Sequence, residues 1–412
     1  MSSTVRILLA LLIGLATGAG LAAAGGAIGP VVLGIAEPVG KAWLNGLQMP
    51  LVPLVFGLLV TGIGSAAQSV RAGGIARRAM LLFAFGLLAS TAFSAVATSS
   101  ILSWWPVPAG GAAALGSPAP IAEAAGAVEP SAAWLLGFIP VNPIRAAADG
   151  EMVAVVLFAL VFGFAASRIA EDGRAALFGV VQAMVDTLMV IVGWVLVLAP
   201  IGVFALGLVA GYRSGLASAG TLLHYVALIV AICLAVTVIV YPIVLLFGRI
   251  GLARFARAAA PAQAIAFSTQ SSIASLPAMI AACDGPLAVV RDVRSIVLPL
   301  AISLFRVTSP AANIAVALYL ADVHGVTLSF GTIAIGVLVA AVVSLAAVGL
   351  PAQISFFTTI GPICLAMGIP VGLLPLLLAV ETVPDIFRTM GNVTADMALA
   401  RIIGRRDAGD AA

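Results

Sequence analysis

Long apolar runs separated by short polar segments dominate the first 250 residues of the chain. Most runs are about 20 residues long, the length that an α-helix needs to cross a bilayer. They lack the alternating ten-residue pattern that is typical of membrane β-strands. The pattern predicts an all-α membrane protein, with helices near 5–24, 43–64, 79–102, 150–168, 176–209 and 221–248.

Two segments of the second half are too interrupted for straight spanning helices. Residues 258–282 contain the hydroxyl-rich stretch FSTQSSIASLPAMI, and residues 332–368 are broken at Gly349-Leu350-Pro351. Non-helical backbone at membrane depth is tolerated where it lines a cavity or is buried in protein. Paired broken segments are a sequence indicator of a transporter site built from inverted repeats. Each segment is predicted to form a helix–turn–helix hairpin, the alternative being a spanning helix with a proline kink.

The last apolar segment, Leu373 to Ile403, carries a polar stripe. At about 100° per residue, its five polar residues share an arc of roughly 80° on one helix face. A charge facing lipid at the bilayer centre costs about 2.5–3.5 kcal/mol or more, so this face is expected to point into the protein. The five residues are Glu381, Asp385, Arg388, Asn392 and Asp396.

Composition excludes several classes of protein. The chain is 63% hydrophobic and 8% charged, whereas soluble domains carry about 25% charged residues. A net charge of +3 indicates no nucleic-acid partner, and three widely spaced cysteines indicate neither disulfides nor a zinc site.

Arginines near 71–78, 168–174 and 249–257 mark cytoplasmic loops, so a multi-pass protein of the plasma (inner) membrane is expected. Residues 104–130, without a basic residue, are expected to face outward.

Several motifs resemble one family over nearly the whole chain. The stretch DIFRTMGNVTAD, from Asp385 to Asp396, is similar to the last-helix motif D-x-x-R-T-x-x-N-V-T-G-D of the dicarboxylate/amino acid:cation symporters, the glutamate transporter family. QSSIASLP, from Gln270 to Pro277, resembles the family's serine-rich first hairpin. PIGVFAL from Pro200 and FIPVNP from Phe138 resemble landmarks of its fifth and fourth helices.

The resemblance implies eight transmembrane helices plus two re-entrant hairpins, in inverted repeats, forming a homotrimer that works as an elevator. The resemblance also implies how the chain divides into domains. Residues 1–78 would form scaffold helices 1–2, and residues 79–102 would form helix 3 of the transport domain. Residues 103–248 would hold scaffold helices 4–5 and transport-associated helix 6. Residues 249–404 would form the transport core, followed by a cytoplasmic tail over 405–412.

The resemblance also implies roles for site residues. Arg388 would bind the side-chain carboxylate of an acidic amino acid and Asp385 its ammonium group, which suits the chemistry of both side chains. Alternatively, Asp385 and Arg388 pair with each other at i and i+3. Other residues expected to line the site are Thr389, Asn392, Gln270, Ser271 and Ser272, with Gln270 close to Arg388.

The chain departs from the family where sodium is bound. The family's unwound N-M-D-G-T motif falls on Phe305 to Ser309 in one alignment and on Ala312 to Val316 in another, and neither restores both ligands. Ala352, Gln353 and Ile354 replace a glycine-rich tip of the second hairpin. The resemblance therefore does not carry sodium coupling with it.

Arg306 suggests a different coupling. Three carboxylates and two guanidiniums, those of Arg306 and Arg388, give the region a formal charge of −1. We expect Arg306 to pair with Asp396 in the place of a cation, leaving Glu381 as the proton carrier. In the alternative, Arg306 extends to the cytoplasm and sodium binds at Asn392 and Asp396. No cofactor is expected beyond Na⁺ or H⁺ as coupling ion.

Three alternative functions make different demands on these residues. A C4-dicarboxylate symporter would not need Asp385 to bind ammonium. A channel or uncoupled facilitator on the same fold would not show saturable exchange of internal for external solute. An intramembrane aspartyl protease is excluded because Asp385 and Asp396 lie about 16 Å apart along one helix, too far to share a water. The chain is therefore expected to be a transporter and not an enzyme.

Overall fold

A computed structural model describes residues 3–71, 74–108, 139–149, 151–214, 217–346 and 352–404. Throughout these ranges the ordered elements are α-helices and no strand forms. Within the same ranges, six helical stretches are long and apolar enough to cross a membrane. The predicted all-α, multi-pass membrane protein is confirmed.

The helices are numbered in chain order within the described ranges. The first half comprises α1 Ser3–Ala24, α2 Ile28–Gln48, α3 Leu51–Arg71, α4 Gly74–Trp104, α5 Pro143–Ala148, α6 Met152–Ala166, α7 Glu171–Val197, α8 Ala199–Ser214 and α9 Ala217–Gly248. The second half comprises α10 Leu252–Thr269, α11 Ser272–Asp284, α12 Arg291–Leu304, α13 Thr308–His324, α14 Phe330–Ala346, α15 Ala352–Ala366, α16 Leu374–Val380 and α17 Thr382–Gly404.

Two predicted helix boundaries in the first half are wrong. The helix expected over 43–64 begins only at Leu51, as α3, and residues 43–48 belong to a separate helix, α2. The glycines, Pro38 and charged residues of α2 are typical of a loop. Its charges are paired: Glu37 lies 2.8 Å from Lys41 Nζ and 3.0 Å from Arg213 Nη2 of α8. The helix expected over 176–209 divides at Leu198, because Pro200 has no N–H to continue the hydrogen-bond ladder.

The first predicted hairpin is a helix–turn–helix, as expected. Helices α10 and α11 pack on each other and on α17. They are joined at Gln270, whose φ of 53° is left-handed and ends α10. Ser271 then caps α11, its hydroxyl accepting from the N–H of Ala274 at 3.2 Å. A single spanning helix with a proline kink is excluded for this segment.

The second predicted hairpin is described only in its two arms. Helices α14 and α15 pack on each other, and both pack on α13. The predicted break at Gly349-Leu350-Pro351 and the side chains of Ala352, Gln353 and Ile354 lie outside the described residues. The same holds for most of the insertion predicted over 104–130.

Two long segments of the second half are broken helices. Phe305 to Val307 interrupt the segment formed by α12 and α13, where the first of the two alignments placed the unwound motif. The second alignment is wrong, because Ala312 to Val316 lie inside the continuous helix α13. The last segment, expected to be one helix, is interrupted at Glu381 between α16 and α17.

Helices α1 and α8 cross in backbone contact. A Cβ added at Gly14 would lie 2.5 Å from the carbonyl oxygen of Phe204, and one at Gly18 would overlap the carbonyl of Leu208. On the facing helix, a Cβ at Gly211 would overlap the carbonyl of Leu15. Small residues at such crossings let membrane helices approach closely, because packing rather than hydrophobic burial drives association in lipid.

This crossing makes Gly18→Ala destabilising, although alanine is the better helix former. The new methyl would meet backbone that cannot rotate away, and overpacking of this kind costs about 1–3 kcal/mol. Gly20→Ala is the matched control, because no atom lies within 4 Å of its added Cβ. Thermal unfolding of the purified protein should show a lower midpoint for Gly18→Ala and an unchanged or higher one for Gly20→Ala. Equal midpoints for the two variants would contradict the close crossing.

Candidate functional site

The polar stripe of the last segment is buried, as predicted. Glu381, Asp385, Arg388, Asn392 and Asp396 are each exposed by 5% or less. Thr389, on the same helix, is buried as well. The stripe therefore faces protein and not lipid.

Arg388 lies between two carboxylates. Its Nη2 is 2.5 Å from Glu381 Oε1, and its Nη1 is 3.5 Å from Asp385 Oδ1. The contact with Glu381 is close but not aligned as a hydrogen bond, so buried Nε and Nη2 have no hydrogen-bond acceptor among the described residues. The predicted alternative, an Asp385–Arg388 pair, is present. The shorter contact to Glu381, seven residues away, was not predicted.

Glu381 occupies the interruption between α16 and α17. Pro384 has no N–H to donate to the carbonyl of Val380, so the helical ladder breaks at this point. The other carboxylate oxygen of Glu381 accepts a 2.7 Å hydrogen bond from the hydroxyl of Tyr225 in α9. Glu381 is thus held between a fixed donor and the guanidinium of Arg388.

The side chain of Asn392 forms hydrogen bonds with the residues that follow the break between α12 and α13. Its Oδ1 accepts from the backbone N–H of Thr308 at 2.9 Å, and its Nδ2 donates to the hydroxyl of Ser309 at 3.3 Å. The Thr308 hydroxyl lies 2.6 Å from the carbonyl oxygen of Arg388 and 2.5 Å from Asn392 Oδ1. Its single proton serves one of these acceptors at a time. The Asn392 amide is therefore engaged by protein groups.

Helix α4 holds the other side of the same break. The hydroxyl of Ser90 donates to the carbonyl of Val307 at 2.9 Å, and that of Ser94 donates to Ala311 at 2.6 Å. Phe305 stacks on Phe83, with ring centroids 5.0 Å apart. Of these contacts, the bond from Ser90 gives a hydrogen-bond donor to a carbonyl of the break itself, and the other two fix α4 against α13 and Phe305.

Gln270, Ser271 and Ser272 are partly buried at the tip of the α10–α11 hairpin. Farther from the tip, Gln263 of α10 donates to the hydroxyl of Thr394 in α17 at 2.8 Å. This bond ties the hairpin to the helix that carries the stripe. The expected approach of Gln270 to Arg388 stays a prediction.

Asp396 differs from the other carboxylates. It is 1% exposed, and neither carboxylate oxygen has a hydrogen-bond partner among the described residues. The predicted direct pairing with Arg306 stays a prediction. Arg306 is partly buried at the α12–α13 break, within electrostatic range of both Asp385 and Asp396. These carboxylates lie about 16 Å apart along α17, so a guanidinium acting on both cannot contact both.

Four residues of the site were not predicted from the sequence: Tyr225, Thr308, Ser90 and Ser94. Each lies in a largely apolar helix that carries other hydroxyls as well, and hydroxyls of Ser and Thr in helices commonly bond their own helix backbone. Tyr225, a phenol in the apolar helix α9, was the most detectable of them, because a buried tyrosine hydroxyl usually has a partner.

Comparison with known proteins identifies the family of the chain. Residues 4–406 match the model of the sodium:dicarboxylate symporter family. The proton/glutamate-aspartate symporter of Escherichia coli (strain K12) is 25% identical over 395 residues, which cover 91% of this chain and 86% of that protein. The C4-dicarboxylate transport protein of Rhizobium etli is 26% identical over 394 residues, covering 91% and 85%. The proton/sodium-glutamate symport protein of Bacillus subtilis (strain 168) is 26% identical over 377 residues, covering 89% and 85%. The family predicted from the motif of the last helix is confirmed: the chain belongs to the sodium:dicarboxylate symporters.

Proposed function

We propose that the chain is a secondary active transporter of acidic amino acids, in which Arg388 binds the side-chain carboxylate of the solute. The observation that carries this proposal is the edge of the buried guanidinium formed by Nε and Nη2, which lacks a hydrogen-bond acceptor among the described residues. Two parallel N–H groups match the two oxygens of a carboxylate. Relatives named for glutamate and aspartate support the same class of solute.

Asp385 is proposed to bind the ammonium group of the solute. Its carboxylate lies beside Arg388 on the buried face of α17, at 3.5 Å from Nη1. A solute with a carboxylate on Arg388 therefore brings its ammonium group within reach of Asp385. A C4-dicarboxylate is the second candidate, because it has no ammonium group and would leave the Asp385–Arg388 pair intact. The relative from Rhizobium etli supports this alternative.

Glu381 is proposed to couple transport to protons. In the structure its carboxylate is the closer counter-ion of Arg388. A solute carboxylate that takes the Nε–Nη2 edge of Arg388 competes with Glu381, which already lies 2.5 Å from Nη2. Displaced Glu381 would keep the Tyr225 hydroxyl as a donor but lose its counter-charge, and an unpaired buried charge costs several kcal/mol. Uptake of one proton by Glu381 removes that charge and accompanies the solute.

Sodium coupling is proposed to be reduced or absent. Oδ1 of Asn392, a predicted sodium ligand, already accepts a hydrogen bond from the N–H of Thr308. Arg306 supplies a fixed positive charge within range of Asp396. We infer that this charge takes over the role of a bound cation.

Movement is proposed to follow the elevator scheme, within a homotrimer. Helices α10, α11 and α12 all pack on α17, which supports a transport core over 249–404. Helices α2 and α8 form a small hydrophobic cluster of their own around Ala36, Ala205, Leu208 and Val209. This separate cluster supports a scaffold that holds still while the core moves.

Substrate assignment is tested with two substitutions. Arg388→Lys keeps the charge but loses the bidentate edge, so it should cost about 1.5–3 kcal/mol, the worth of a hydrogen bond to a charged group, or about 10- to 100-fold in affinity. Asp385→Asn should weaken aspartate and glutamate binding much more than binding of succinate. Thermal-shift titration measures both, with Arg213→Lys on the exposed side of α8 as control. Equal losses for amino acids and dicarboxylates would reject the ammonium role of Asp385.

The proton carrier is tested with Glu381→Gln, which still accepts from Tyr225 but cannot take up a proton. Counterflow exchange of solute should survive, while accumulation driven by an acidic exterior should fall to the level without a gradient. Proteoliposome uptake at matched and mismatched pH separates the two, with Asp186→Asn on α7 as control. Undiminished proton-driven accumulation in Glu381→Gln would rule out the proposed role.

The Arg306 charge is tested by comparing a sodium gradient, a proton gradient and choline alone. Uptake by the unmodified protein should not require sodium. Arg306→Met removes the positive charge near Asp396, so its uptake should become sensitive to sodium. Arg257→Met, at an exposed cytoplasmic arginine, should behave like the unmodified protein. Strong sodium dependence of the unmodified protein would end the hypothesis.

A further inference from the structure

An apolar cavity of about 420 Å³ lies between α4, α9 and α17, away from the Arg388 site. Its lining is almost entirely hydrocarbon. The one hydroxyl in the lining belongs to Ser90 and is already bonded to the carbonyl of Val307. Phe85 and Phe247 at its rim are 71% and 61% exposed. The cavity is thus a groove open to the surroundings of the helix bundle, within the size range of ligand pockets.

The groove has the length of one bilayer leaflet. On α4 it is lined from Leu82 to Phe93, and on α9 from Val236 to Phe247. Each stretch advances eleven residues, or about 16 Å, which is about half of the 30 Å hydrocarbon core. The α4 stretch begins near the cytoplasmic end of its helix and the α9 stretch ends near the cytoplasmic end of its own, as the neighbouring arginines indicate. The groove therefore covers the depth of the cytoplasmic leaflet.

Positive charge flanks the cytoplasmic end of the groove. Arg78 is exposed and lies four residues before Leu82, hence on the same face of α4. Arg249 is exposed and follows Phe247 by two residues. The cytoplasmic leaflet is the one whose anionic lipids attract basic side chains at the membrane surface.

We propose that the groove binds one anionic phospholipid of the cytoplasmic leaflet, with an acyl chain between α4, α9 and α17 and the phosphate near Arg78 and Arg249. The length of the groove, its apolar lining and the charge at its end together select this occupant. A second copy of the chain would need neither the leaflet length nor the arginines. The proposal stands independently of the transported solute, because it uses none of the residues around Arg388.

The bound acyl chain would contact the break between α12 and α13. The groove is also lined by Phe305 and Val307, the residues that flank Arg306 in the break between α12 and α13. An acyl chain there packs against the break on the side of Ser90, while Asn392 holds the break from the other side. Lipid occupancy is therefore expected to stabilise the break and to raise the rate of transport.

Native mass spectrometry and thermal unfolding of the full chain test this site, with phosphatidylglycerol and phosphatidylcholine of identical chains as probes. Ala89→Trp fills the groove, and Ala92→Trp, at an exposed position of α4 outside the lining, is its matched control. Arg78→Gln removes one charge near the headgroup, and Arg168→Gln is the control on another cytoplasmic segment. A basic side chain near the surface is worth about fivefold in affinity for an anionic lipid.

The unmodified protein should retain about one phosphatidylglycerol per chain and gain more thermal stability from it than from phosphatidylcholine. Ala89→Trp should lose this lipid and the added stability, and Arg78→Gln should lose about fivefold of the preference, while both controls keep them. Equal lipid retention by Ala89→Trp and Ala92→Trp would overturn the proposal. So would equal stabilisation by the two lipids, or a loss of oligomeric state in Ala89→Trp with lipid retention unchanged, which would assign the groove to a second copy.

Discussion

Burying a guanidinium inside a membrane protein constrains everything around it. Arg388 is 5% exposed, in a helix surrounded by apolar neighbours, and without a counter-charge it would be strongly destabilising. Glu381 and Asp385 supply that charge from the same segment. Pro384 interrupts the helix at Glu381, and Tyr225 of α9 then holds the Glu381 carboxylate in place. Pro384 thus sets the local backbone, and the need for a counter-charge to Arg388 explains the contact between α9 and Glu381.

The break between α12 and α13 obeys a related constraint, that of backbone hydrogen bonding. An interrupted helix leaves N–H and C=O groups without internal partners, and a bilayer offers them none. Ser90 donates to the carbonyl of Val307 from one side, and Asn392 accepts from the N–H of Thr308 on the other. The break is consequently a fixed element between α4 and α17. It places Arg306 in a defined position relative to the stripe.

How much of the fold and of the site could be predicted from the sequence depends on how far apart the interacting residues lie along the chain. The buried stripe followed from helical periodicity and from the cost of exposing charge to lipid, and the hairpin over 258–282 followed from the interrupted apolar run. Helix α2 was missed because Glu37 and Lys41 look solvent-exposed until Arg213 of a distant helix is known to approach. The Tyr225–Glu381 bond was missed for the same reason, since its two residues are 156 positions apart. Contacts between distant segments are set by packing, which a single sequence does not reveal.

The carboxylates at the two ends of the polar stripe, Glu381 and Asp396, differ in how their charge is compensated. At the Glu381 end, three charged groups are in contact and one tyrosine donates to them. At the Asp396 end, a carboxylate that is 1% exposed has no hydrogen-bond partner among the described residues. A carboxylate in such surroundings persists if it is neutral or if a positive charge acts on it through space. Arg306 supplies such a charge, from a side chain on the α12–α13 break and not on α17. The electrostatic surroundings of Asp396 are therefore set by the position of the break, and the hydrogen bonds of Ser90 and Asn392 that fix the break also fix the charge that acts on Asp396.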